Sequence, residues 1–311
     1  LAISRDMEID LFYCDDSLPF YGYLIKKMTR RSVVIRMGDW QTGYALGGGE
    51  SLAKRILLPV VLWLERETWR AVDGIIAISD PFRRFLVGQT SDLKKTRVVE
   101  ECVDSTMFNP DVSGDEVRLR YGIGGNPLVM FHGLLVPIKG VETLLMAAPY
   151  VLAQVPETKL MIVGDGPSLE TLRRTARQLG TEDSVIFTGW VRFREMPKYV
   201  AACDVGVPVR SKNIANNFVI TTALLQYWAS AKPVVAPDLE AMSKVVLDGK
   251  NGLLFNKSSP RHLGDKIVYL IRNRTIATTM GKQGLKLAKE RYGSELIGRR
   301  LAETLTELAR C

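Results

Sequence analysis

Histidine is almost absent from this chain of 311 residues: His132 and His262 are the whole supply. A histidine-rich metal centre is therefore excluded at the outset. Cysteine is also sparse. Cys14, Cys102, Cys203 and Cys311 stand far apart and form no C-x-x-C pair, and a chain this long has no need of disulfide staples. They read as reduced thiols of a cytoplasmic protein. No apolar run nears the roughly 18 residues of a membrane-spanning helix; the longest, Ile56 to Leu64, contains Pro59. No secretory leader opens the chain. It starts at Leu1 rather than methionine, so the natural N-terminus is expected to lie upstream.

What is present is the composition of a globular protein, 46% hydrophobic and 24% charged, which excludes disordered and collagenous classes. The length suits two domains of roughly 100–200 residues. The formal charge is +8, and it is uneven. Residues 1–110 are neutral overall, and the whole excess falls on 111–311. A basic second half suits an anionic small ligand such as a nucleotide diphosphate, without calling for nucleic acid. A solvated basic surface is the other reading.

Short apolar or β-branched runs alternate with longer helical patterns. Strands are expected at 9–14, 32–36, 74–78 and 97–100, with helices at 20–28 and 52–72, the latter interrupted near Pro59. Ser79-Asp80-Pro81 is a helix start. The stretch 105–127 is dense in Gly, Pro, Asn and Ser and reads as a domain boundary. Alternation then restarts with strands at 128–132, 160–163, 185–188, 205–209, 233–236 and 252–255. Apolar strands without polar alternation imply parallel sheets covered on both faces. The fold class is thus α/β, with two Rossmann-like domains facing each other. The first, 1–113, is expected to be incomplete and to be joined by a C-terminal helix at 294–311; the second is 114–293.

Three stretches could carry chemistry. In Phe131-His132-Gly133-Leu134-Leu135-Val136-Pro137-Ile138-Lys139-Gly140 a buried strand runs into a loop, a lysine and a helix. Ligands of such sheets bind at the carboxyl ends of the strands, where loop amides and Lys139 favour anions. Val163-Gly164-Asp165-Gly166-Pro167 repeats the arrangement, its glycines permitting close approach of backbone to a ligand. Thr221 and Thr222 open a helix carrying Gln226 one turn on, and free amides at such an end hold phosphate. Each stretch also suits an ordinary turn or cap. His132 reads as a packed, hydrogen-bonded histidine beside the cleft. Arg36 and Asp39 follow a buried strand and precede glycines at 47–49, and Asp39 is read as an acceptor contact. The helix from Leu52 mixes Lys54, Arg55, Trp63 and Trp69 with apolar residues; it suits a core-facing helix or a membrane surface.

The order of these pieces resembles the glycosyltransferases of the GT-B fold, most closely the retaining nucleotide-sugar enzymes of family four (glycosyltransferase group 1). The matching residues are Gly133 with Lys139-Gly140, Gly164 to Pro167, Phe187-Thr188-Gly189, Cys203-Asp204, Lys232 to Ala236, and Asp248-Gly249 with Gly252-Leu253. Fainter matches are Ala77-Ile78-Ser79, Val103-Asp104 and Phe108-Asn109-Pro110. The resemblance implies transfer of a sugar from a nucleotide-diphosphate sugar to a glycan, lipid or small-molecule acceptor, with retention. It implies no metal and no cofactor beyond the donor. Lys139 would neutralise the donor diphosphate, the amides near Thr221 and Thr222 would bind the same phosphates, and Gly133, Gly164, Asp165 and Gly166 would belong to the donor-binding residues. Trp190 and Val191 would lodge the base, and Gln226 the ribose.

The departures are specific. Leu134 stands where the family has an arginine, Phe218 and Gln226 where it has two glutamates, and Gly38 near a usual histidine. Arg210 is a candidate replacement for the arginine. Loss of both glutamates also fits a non-catalytic GT-B protein that binds a nucleotide sugar or glycan. A GT-B epimerase lacks an evident acid/base constellation here.

Overall fold

The structure is a computed structural model. It describes residues 9–15, 20–46 and 52–309, with backbone alone for 52–55. The chain divides into two compact units. Unit 1 holds the residues up to Glu101, the segment Asn213–Ile220 and those from Glu295 onward. Unit 2 holds Cys102–Lys212 and Thr221–Ser294.

Unit 1 begins with β1 (Leu11–Asp15), α1 (Tyr21–Thr29), β2 (Ser32–Met37), α2 (Gln41–Leu46), α3 (Leu52–Ala71), β3 (Gly74–Ala77), α4 (Asp80–Thr90) and β4 (Thr96–Val98). Its four strands pair in parallel in the order β1-β2-β3-β4. Successive side chains point to opposite faces, and both faces are covered. Val33, Ile35 and Met37 pack with Trp40, Trp69 and Phe82. Val34 packs with Ile76, Val99 and two residues of the C-terminal helix, Ile297 and Leu308. That is why β2 reads as an unbroken apolar run.

α4 starts where the sequence places it. Ser79 caps it by accepting the Phe82 amide at 3.2 Å, and Pro81 sits in the first turn. α3 corrects the expected break: it runs through Pro59 without interruption. Proline removes one N–H and leaves one carbonyl unmet. Pro59 itself is exposed, on a side of the helix open to solvent.

Unit 2 contains α5 (Asp115–Arg120), β5 (Leu128–His132), α6 (Val141–Leu152), β6 (Lys159–Val163), α7 (Leu169–Gln178), β7 (Val185–Gly189), α8 (Met196–Ala202), β8 (Val205–Gly206), α9 (Thr222–Ala229), β9 (Val235–Pro237), α10 (Glu240–Val245), β10 (Leu253–Phe255), α11 (Pro260–Arg272) and α12 (Arg274–Arg291). The C-terminal helix is Ser294–Ala309. The strand order is β7-β6-β5-β8, and a bridge from Gly206 to Val234 leads on to the β9–β10 pair. All of these pairs are parallel. Val129, Phe131, Leu160 and Ile162 form the core with Leu144, Leu145, Leu263 and Ile267.

β8 is shorter than the sequence suggests. The Val207 amide still reaches the Met130 carbonyl at 2.8 Å, but Pro208 has no N–H to continue the ladder. The breaker-rich stretch 105–127 is built into unit 2, and the division falls at Glu101–Cys102 rather than at 113–114. Arg118 fastens the stretch: its guanidinium donates to the carbonyls of Ala202, Gly124 and Asn126 and meets Asp204 at 2.6 Å.

Asn213–Ile220, expected within the second domain, belongs to unit 1 instead. Phe218 stacks on Phe82 with centroids 5.0 Å apart and ring planes 3° apart, and touches Phe85 and Trp40. The Ser79 hydroxyl donates to its carbonyl at 2.6 Å. Phe218→Ala is expected to cost roughly 3–5 kcal/mol, the range for an emptied aromatic core site. Urea unfolding measures it, and a loss under about 1 kcal/mol would remove Phe218 from the core.

Candidate functional site

Parallel strands end on one side of a sheet, so their βα loops gather there. In unit 2 the loops after β5 and β6 meet directly. The Gly133 amide donates to the Val163 carbonyl at 3.0 Å, and the Leu135 amide to the Asp165 carbonyl at 2.8 Å. A Cβ on Gly164, at φ +139°, would stand 2.0 Å from the Gly133 oxygen. Gly164 is thus required by the approach of one loop to another. A Cβ on Gly166 would likewise strike the Leu135 carbonyl, so the reading of these glycines as turn residues holds.

Lys139 ends a single 3₁₀ turn, Pro137–Lys139, and Gly140 follows at φ +69°. A Cβ on Gly140 would lie 2.5 Å from the Ser211 amide nitrogen. That amide and the Ser211 hydroxyl both donate to the Ile138 carbonyl, at 3.2 and 3.0 Å. The lysine turn is therefore pinned to the segment that carries Arg210. Arg210 is buried, Lys139 half-buried. Thr221 caps α9 by accepting the Leu224 amide at 3.2 Å, and the first-turn amides of the helix have no partner within it.

These elements enclose a cavity of about 380 Å³. Gly133, Lys139, Gly164, Asp165, Trp190, Val191, Arg210, Thr221, Thr222 and Gln226 all line it. Gly166 does not. Asp39 belongs to unit 1, where the Tyr44 hydroxyl donates to its carboxylate. The glycines at 47–49 lie outside the described residues, as do the side chains of Lys54 and Arg55. Next to Asp39, the Trp40 indole and Thr42 hydroxyl donate to Glu65 at 3.1 and 2.5 Å; burial pushes that carboxyl up. Among the described residues no cluster of His, Cys, Asp or Glu is placed to hold a metal ion. None of the described helices is long and apolar enough to cross a membrane.

The sequence reading did not foresee that Phe193 and Met196 line the cavity, nor that Leu134 does so while 57% exposed. It misjudged His132. The ring is buried and lies edge-on to Tyr227, centroids 5.1 Å apart, but its Nε2 has no hydrogen-bond partner. Burial holds the imidazole neutral, its pKa lowered to about 4.

This architecture is that of a GT-B glycosyltransferase. Residues 126–273 match the model of the family described as glycosyl transferases group 1, and that region is a domain of this family. It is 29% identical over 305 residues to a GDP-mannose-dependent α-(1-6)-phosphatidylinositol monomannoside mannosyltransferase of Mycolicibacterium smegmatis, covering 97% of this chain and 77% of the relative. The Mycobacterium tuberculosis protein of the same name is 30% identical over 252 residues, 80% of this chain and 66% of the relative. An α-D-kanosaminyltransferase of Streptomyces kanamyceticus is 23% identical over 95% of this chain and 76% of its own. Among solved structures, Anabaena HepE in complex with UDP superposes with TM-score 0.82 at 21% identity, over 98% of this chain and 81% of that one. Sucrose-phosphate synthase of Thermosynechococcus elongatus gives 0.83 at 18% identity, over 99% and 75%.

The His132 ring predicts a pH dependence of stability. Its folded pKa lies below the unfolded value near 6.5, so the unfolded state takes up the proton first. The stability it contributes is present above about pH 6.5 and is lost as pH falls toward 4. Between pH 7.5 and 4.5 the wild type should lose about 2 kcal/mol more than His132→Phe. Urea unfolding at the two pH values measures this, and equal losses would mean that the imidazole is not buried neutral.

Proposed function

We propose that this glycosyltransferase takes its sugar from a nucleotide-diphosphate sugar bound in the unit 2 cavity, and transfers it with retention. The observation that carries the reading is the convergence of Lys139, Arg210 and the N-terminus of α9 on one cavity. When the bond between sugar and diphosphate breaks, negative charge grows on the departing phosphate oxygen. Cations and helix amides already fixed around it stabilise that charge without reorganising. Arg210 takes the part of the arginine absent at Leu134. Trp190, 71% exposed at the cavity, offers a face for the base, with Val191 beside it. Gln226 can hydrogen-bond a ribose hydroxyl. The reading requires no cofactor besides the donor. Asp39, its carboxylate fixed by Tyr44, is assigned the acceptor hydroxyl.

The acceptor we favour is lipid-linked, reached from the cytoplasm at a membrane surface. Two relatives are named for phosphatidylinositol monomannoside. In unit 1, Ile56, Leu57, Val60 and Trp63 of α3 are exposed at helical spacing. α1, packed on α3, exposes Tyr21, Leu24 and Met28 beside Lys27, Arg30 and Arg31. Apolar side chains fringed by cations suit an anionic bilayer surface. Trp69, also on α3, is buried in the core, as the core-facing reading of this helix requires, and the exposed side chains are what support the membrane reading.

One observation favours the non-catalytic alternative. The position of the first family glutamate is Phe218, held in the core of unit 1, and Gln226 carries no charge. Nucleotide binding with no turnover on any acceptor would establish that alternative.

Calorimetry with UDP and GDP tests the donor site. Lys139→Ala should weaken binding at least about tenfold, the worth of one charged hydrogen bond; an unchanged affinity would move the diphosphate elsewhere. Co-sedimentation with phosphatidylglycerol vesicles tests the surface. The double variant Val60→Ser, Trp63→Ser should lose most of the bound fraction, and equal binding would discard the α3 face.

A further inference from the structure

The cavity wall holds a buried polar group that the donor reading leaves unused. His132 is the last residue of β5, paired with Val163 of β6, and it lines the same cavity as Lys139, Arg210 and Gln226. Its side chain is more than nine-tenths buried. Tyr227 fixes the ring: the tyrosine donates its hydroxyl to the Met130 carbonyl at 2.8 Å and meets the imidazole with its planes at 66°. A histidine kept only for packing is expected to satisfy its nitrogens within the protein. Here Nε2 is buried without a partner, and a phenylalanine would fill the same space at no such cost.

We propose that His132 is a contact residue of the donor site, whose imidazole hydrogen-bonds an oxygen of the nucleoside diphosphate. The inference rests on the donor-site reading above and adds a residue to it. His132 lines the cavity and no protein group meets Nε2, so a molecule in the cavity can supply the partner that the ring lacks. Lys139 and Arg210 supply charge there, and the neutral imidazole supplies direction. A charge can be satisfied by many placements of an anion. A ring nitrogen of fixed orientation accepts few, and so selects the pose in which the leaving oxygen faces the cations.

His132→Phe tests this. It keeps an aromatic ring against Tyr227 and deletes both nitrogens. Whichever of UDP and GDP the wild type binds should bind about three- to tenfold more weakly. At neutral pH the melting temperature should stay level or rise, because an unpartnered buried nitrogen has been replaced by carbon. A residue that matters only for packing would show the opposite pattern, a lower melting temperature with affinity intact. The second measurement needs no substitution at the site. With only two histidines in the chain, and His262→Gln to identify one of them, imidazole NMR follows His132 directly. Its nitrogen signals should move as UDP or GDP is added.

Wild-type affinity in His132→Phe, with Lys139→Ala still weakened, overturns this inference and leaves the donor site standing. An unmoved His132 signal at saturating nucleotide does the same, and decides the matter where His132→Phe does not fold. An unweakened Lys139→Ala, or no nucleotide bound by the wild type, overturns the donor site itself and this contact with it.

Discussion

The constraint on which the rest depends is the parallel pairing of every strand. Parallel neighbours need a crossover between them, and crossovers cover both faces of the sheet with helices. Polar groups are then excluded from the faces and collect at the strand ends. In unit 2 the faces are taken by residues such as Leu144, Leu145, Leu263 and Ile267. His132, Gly133, Gly164 and Arg210 are what the ends have left to offer. The site is where it is because no other part of such a sheet can carry it.

At that edge the glycines do the joining. Gly164 and Gly166 let the first two loops lie backbone to backbone, and Gly140 lets the lysine turn lie against Ser211. Three loops distant in sequence are held as one surface, so the cations they carry have fixed separations before any ligand arrives. Fixed dipoles and charges are worth more to a reaction than mobile ones, since nothing need be reorganised when charge develops. A side chain added at Gly140 or Gly164 would act on the site by separating loops, although neither residue need touch a substrate.

What the sequence could show follows from how local each signal is. Strand positions, the cap at Ser79 and the turn at Lys139 depend on neighbours in the chain, and they were legible with errors of a few residues. The fold class followed from the alternation, and the family from the order of motifs. Three features depend on partners far away and were not legible. Phe218 reads as a residue of the second domain until Phe82 and Trp40 are seen around it. The stretch 105–127 reads as a domain boundary until the four bonds of Arg118 are counted against its breakers. His132 reads as a satisfied core histidine because sequence says nothing of whether a partner stands opposite Nε2. The one signal that the sequence offers is its place, the last position of a strand that enters a glycine loop.

The departure at Leu134 bears on how the proposed site works. A cation on that exposed loop would face water, where the attraction of a charge for a phosphate is weak and screened by salt. Arg210 is 5% exposed, and in such surroundings the same charge acts through a lower dielectric. It also bears a larger desolvation cost, which only good geometry offsets. The structure supplies that geometry in part by locking the neighbouring Ser211 to Ile138, one residue before Lys139. Moving the cation from loop to interior therefore exchanges a mobile, screened charge for a rigid one. The site would gain in orientation what it gives up in adaptability, and its affinity for a diphosphate would depend less on ionic strength than that of an exposed lysine and arginine pair.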